Sequence, residues 1–217
     1  MLFFSYIYLE NDFLIGRVEI MVRLIYNKNR KQITNKEDDF LDAKRKKEIE
    51  QLAENFCRKN NIFNYPVPIV KICEQNDIQV FEKYLPNQTS GFIVIQEEDF
   101  NNYKTGRLIT INLSDTAARR RFTIAHELAH YVLHKSSNEK LYAHRNIGEV
   151  TEEEQEANLF ASCILMPKSL IMAALKKLDE DFLGDVTSHA KIMFISSRFA
   201  VSRAAAEVRL KQLNFIV

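Results

Sequence analysis

His126-Glu127-Leu128-Ala129-His130 is the stretch whose reading decides the fold. On an α-helix, residues four apart stand side by side on one face, about 6 Å apart along the axis, so His126 and His130 can grip one ion. Glu127 lies beside them. Zinc with three protein ligands keeps a fourth position for water and lowers that water's pKa from near 16 to about 7. Glu127 can then take the proton as base and return it to a leaving amine as acid. The flanking residues Phe122, Ile124, Ala125, Leu128, Ala129, Val132 and Leu133 predict a buried helix, in which His and Glu must have polar partners.

The third ligand comes from elsewhere in the chain. In the longer metzincin pattern a glycine bend delivers a histidine ten positions after the first. That position here is Ser136, and no glycine lies between Leu128 and Ser136. His134 continues the four-residue row, but a straight helix carries it past the ion, so it reads as supporting or structural. The next helical stretch, Thr151 to Pro167, starts acidic and ends apolar. Within it Glu154 and Asn158 share a face, which fits Glu154 as ligand and Asn158 as hydrogen-bond partner of a ligand histidine. Glu156 and then Glu153 are the other ligand candidates. Thr151 and Glu154 also spell a capping box, which competes for the same carboxylate.

Three blocks together resemble the ImmA/IrrE family of metallopeptidases. They are Arg121-Phe122-Thr123-Ile124-Ala125 leading into His126 to His130, then Glu154 to Ala161 with Leu165-Met166-Pro167, and finally Phe199-Ala200-Val201-Ser202 with Arg209-Leu210. The layout fits from about Lys44 onward. The resemblance implies an α+β, zincin-like fold: a small mixed sheet packed on helices that include the one bearing His126 and His130. It implies a zinc-dependent endopeptidase with metal ligands His126, His130 and Glu154 and with Glu127 as the base. It also implies a protein substrate, a helix-turn-helix (XRE-like) repressor of a mobile element or stress response.

The expected domains are an N-terminal extension over 1–35, the metallopeptidase domain over 36–180 and a C-terminal helical segment over 181–217 packed on the core. The chain has 217 residues and a formal net charge of +1. It is long enough for one core, and electrostatics give no argument for nucleic acid as a direct partner. Lys44-Arg45-Lys46-Lys47 reads as a solvated helix face. Cys57, Cys73 and Cys163 form no C-x-x-C pair and read as reduced, buried thiols, which suits a cytoplasmic location.

Residues 1–20 are interrupted by charges before reaching membrane-spanning length and lack a basic start and a cleavage site, so no membrane association is expected. They read as a β-prone extension, or as an artefact of start-site assignment, since a shorter product can begin at Met21. Lys36 to Asn60 predicts a helix, Pro66 to Glu74 a short helix, and Ile78–Tyr84, Gly91–Ile95 and Arg107–Leu113 three strands. The last of these is expected at the cleft edge, where substrate backbone can add to it. In the loop between the two zinc helices, Tyr142, His144 and Arg145 are candidates to stabilise an oxyanion.

A second function class rests on the C-terminal third. Ala190–Phe199, a break at Ala200-Val201-Ser202 and Arg203–Leu213 have a helix-turn-helix cadence, with Ser202 as a cap. Lys191, Arg198, Arg203, Arg209 and Lys211 give it a basic tint. In this alternative the protein acts by binding a partner or DNA and zinc is structural. The competing view packs these helices on the core through Ile192, Phe194, Ile195, Phe199, Val201, Val208 and Leu210.

Overall fold

The computed structural model describes residues 41–85, 89–95, 107–134, 151–181 and 186–217, together with the backbone of 141–142. The expected N-terminal extension, the side chain of Tyr142, and His144 and Arg145 lie outside the described residues.

Helix α1 (Ala43–Lys59) starts later than its periodicity predicts, because Asp42 caps it: its carboxylate accepts from the Arg45 amide at 2.6 Å. Ile49, Ala53 and Cys57, four apart, form its buried row. Helix α2 (Ile69–Gln75) follows Pro68, and strands β1 (Gln79–Lys83), β2 (Gly91–Ile95) and β3 (Arg107–Asn112) come next. Helix α3 (Ala117–His134) carries the two histidines, and β4 (Leu141–Tyr142) comes after it. Helices α4 (Glu152–Leu165), α5 (Lys168–Asp181), α6 (Ser188–Phe199) and α7 (Arg203–Gln212) complete the order.

The sheet order is β1-β3-β2-β4, with β1 parallel to β3 and the other two pairings antiparallel. This corrects one expectation. Strand β3 is interior, bonded to β1 through Gln79↔Leu108 to Lys83↔Asn112 and to β2 through Gly91↔Ile111 to Ile95↔Arg107. With both sides of its ladder used, it has no edge to offer a substrate peptide. Among the described residues the sheet edges are β1 and β4.

Strands β2 and β3 are almost wholly buried, as expected of strands covered on both faces. Asn112, at the end of β3, fixes the turn into α3. Its amide donates to Thr89 O (2.8 Å) and Leu85 O (3.2 Å), and its Oδ1 accepts from the Ser114 amide at 3.0 Å. Thr116 then accepts from the Arg119 amide at 3.3 Å in the first turn of α3.

Helix α3 packs on β2, β3, α2 and α4. Every residue from Thr123 to His130 is consequently buried. The closest approach is at Gly91, where a Cβ would stand 2.5 Å from Thr123 Cγ2 and 2.8 Å from Thr110 O. Gly91→Ala therefore has to push β2 and α3 apart, an overpacking that costs about 1–3 kcal/mol. We expect a Tm several degrees lower by circular dichroism; an unchanged Tm would show that the contact yields freely.

Helices α1 and α4 pack together, with Phe56 edge-on to Phe160 at 5.7 Å. At the C-terminal end, Ala200 turns the chain with φ 53° and Ser202 caps α7 through the Ala205 amide. Ile195, Phe199, Val201 and Leu210 are buried and Tyr65 stacks on Phe199, whereas Val208 is 54% exposed and is not core.

All three cysteines are free thiols in the core. Burial pushes Cys57 and Cys73 up to about 12 and Cys163 to about 11. At pH 8 the folded protein should therefore react slowly with a disulfide reagent and the denatured protein fast. In the unfolded chain these thiols ionise near 9, so it sheds protons first and stability is expected to fall as pH rises above about 9. A denaturation midpoint flat from pH 8 to 11 would contradict this.

Candidate metal centre and active site

Three donors converge where α4 crosses α3. His126 Nε2 and His130 Nε2 are 3.0 Å apart, and the Glu154 carboxylate lies 3.4 Å from each. Two imidazole nitrogens that close must either share a proton or direct lone pairs at a common cation. The tautomer of His126 favours the second arrangement. Its Nδ1 is 3.0 Å from Asn158 Oδ1, an atom that only accepts, so the proton sits on Nδ1 and the lone pair on Nε2.

Tetrahedral zinc with bonds of 2.0–2.2 Å sets its ligand atoms roughly 3.3–3.5 Å apart. The two Glu154–His distances of 3.4 Å fall in that range, and the two Nε2 atoms, 3.0 Å apart, need to open by a few tenths of an ångström to hold that ion. Among the described residues, His126, His130 and Glu154 are the one group of three that can hold a metal. A zinc site with three protein ligands keeps a position open for chemistry. Glu127, 1% exposed, follows His126 on the same helix.

The acidic residues separate by position. The Glu154 amide donates to Thr151 Oγ1 at 3.2 Å, as in a capping box, and the Glu154 carboxylate lies against the two histidines. Glu156 is buried and turned elsewhere. Arg45 holds it in a two-pronged ion pair, Nε to Oε1 and Nη2 to Oε2 (2.9 Å), and His134 Nε2 lies 3.5 Å from Oε2. The hydrogen bond to Glu156 raises the Arg45 pKa above its ordinary value. Glu153 is exposed.

Arg45 thus corrects the reading of its Lys/Arg cluster as a purely solvated face. The signal was in the helical rows. Arg45 extends Ile49, Ala53 and Cys57 by one step of four, and Glu156 stands four before Phe160 and eight before Ile164, both buried.

Arg121 donates to Val67 O at 2.8 Å, tying the start of α3 to the segment before α2, and burial pulls its pKa down. Arg209 is 3% exposed and bound to Glu50 (3.1 Å) and Met166 O, so it is withdrawn from any phosphate contact.

A mixed sheet backing a helix with paired histidines and an intervening glutamate, faced by a carboxylate from the next helix, defines a zincin-like α+β protein. The chain belongs to the peptidase family M78, the IrrE N-terminal-like domain, whose model matches residues 73–211. This is a metallopeptidase family. The chain is 29% identical over 112 residues to "Uncharacterized immunity region protein 2" of Bacillus phage phi105, covering 47% of this chain and 71% of that protein. A solved structure described as a Mycobacterium tuberculosis transcriptional regulator superposes with a TM-score of 0.48 at 15% identity, over 89% of this chain. The chain spans about half the length of that regulator, 51%. Among the described residues no single helix is long and apolar enough to cross a membrane.

Proposed function

We propose that this protein is a zinc-dependent endopeptidase that cuts a regulatory protein, a helix-turn-helix (XRE-like) repressor of a mobile element or stress response. The observation that carries the reading is the convergence of His126, His130 and Glu154, with Glu127 buried beside them. Family membership supports peptide hydrolysis, and the phage relative's place in an immunity region supports a regulatory target.

His126, His130 and Glu154 would hold the ion. Bound there, zinc supplies Lewis acidity that polarises a carbonyl and acidifies water. Asn158 fixes the His126 tautomer so that Nε2 faces the ion. Glu127 takes the proton from the attacking water and passes it to the leaving nitrogen, so the C–N bond breaks as an amine departs. The walls of β2, β3 and α2 around α3 keep bulk water from the base.

Action through DNA binding by α6 and α7, with zinc purely structural, has less support. Structural zinc sites are closed by four protein ligands, and three converge here among the described residues. Arg209, one of its expected contacts, is buried.

The test is incubation of the purified protein with a helix-turn-helix repressor encoded beside its gene, before and after removal of metal with a chelator. Cleavage lost on chelation and restored by one equivalent of zinc is the expected result. Cleavage indifferent to chelation would overturn the metal chemistry.

A further inference from the structure

The ion pair between Arg45 and Glu156 joins residues 111 apart in the chain and lies one helical turn from the histidine pair. We infer that Arg45 and Glu156 are positioning residues of the metal centre, setting the roll of α4 on α3 and through it the place of Glu154. This rests on the reading of Glu154 as a metal ligand.

Glu154 and Glu156, near the start of α4, project from roughly opposite sides of the helix, since residues two apart on a helix are about 200° apart. Each meets a different part of α3: Glu154 the pair His126 and His130, Glu156 the last-turn His134. One such contact leaves a helix free to roll about its axis, whereas two on opposite sides oppose rotation in both senses. A roll of 20° at a side-chain radius of about 6 Å carries a carboxylate roughly 2 Å, about ten times the tolerance of a metal–ligand bond.

Asn158 adds a third anchor one turn further along, on His126. Glu156 can hold His134 only if its own direction is fixed. That is what the two-pronged grip of Arg45 provides, because a planar guanidinium bound through Nε and Nη2 constrains both distance and angle. Arg45 sits in the first turn of α1, which packs along α4, so the anchor rests on a third helix rather than on the pair it aligns.

Arg45→Lys tests this directly. It keeps a positive charge beside Glu156 and gives up the fork. Zinc affinity is measured by competition with a chromophoric chelator, the cobalt-substituted protein is compared by its visible absorption, and the Tm of the metal-free protein is recorded. Expected are a roughly tenfold to hundredfold weaker zinc affinity, the range for lost supporting contacts at a metal site, and an altered cobalt band, with the metal-free Tm changed little. Arg45→Gln combined with Glu156→Gln removes both charges, leaves no orphaned ion, and should show the same loss.

Wild-type affinity and an unaltered cobalt band in Arg45→Lys would overturn the inference, making the pair a purely structural clamp. A fall in metal-free Tm without loss of affinity in either variant would do the same. Failure of the wild-type protein to bind zinc would instead remove the metal reading on which the inference stands.

Discussion

Glu127→Gln is expected to lower kcat/KM for repressor cleavage by roughly 10²–10⁴-fold while leaving fold and zinc content intact, the range for losing a general base. Glutamine has nearly the shape of glutamate and its amide cannot accept the proton. Glu127 is buried on a helix that packs against β2, β3, α2 and α4. Replacing a buried carboxylate with a neutral amide lightens the desolvation cost, so the Tm should hold or rise. Steady-state kinetics with circular dichroism and metal analysis check all three points. Activity within a few-fold of wild type would remove Glu127 from the chemistry.

His130→Ala should act earlier, on the metal itself. It removes one of three converging donors and opens a hole at a position with no solvent exposure. The donors that remain, His126 and Glu154, are two short of a tetrahedral shell. The loss of zinc affinity should therefore exceed the tenfold to hundredfold expected of Asn158→Ala, which touches only the support of His126. Zinc added to the wild-type protein should raise its Tm, because a ligand that binds only the folded state stabilises it, and should leave His130→Ala unmoved. Equal stabilisation of both proteins would place the metal elsewhere.

Residues whose placement depends on local spacing were legible in the sequence. The i, i+4 rule put His126 and His130 on one face and Glu154 and Asn158 on another, and the structure brings those four together. Roles that depend on distant neighbours were not legible. That Glu156 pairs with Arg45 and His134, not with His126 and His130, was hidden because Arg45 belongs to another helix. The interior place of β3 hung on β1 pairing parallel to it across a long connection, which strand periodicity does not encode. Val208 fits the apolar spacing of α7 yet faces out, because Arg209 takes the buried position beside it to meet Glu50. The close approach at Gly91 likewise shows only once α3 lies on the sheet.

The most direct test of peptide cutting at this centre is the intact mass of a neighbouring helix-turn-helix repressor co-expressed with the wild-type protein or with Glu127→Gln. The prediction is one pair of fragments whose masses sum to the repressor plus one water, formed with the wild-type protein and absent with the variant. An uncut repressor beside wild-type protein carrying one zinc per chain would contradict it.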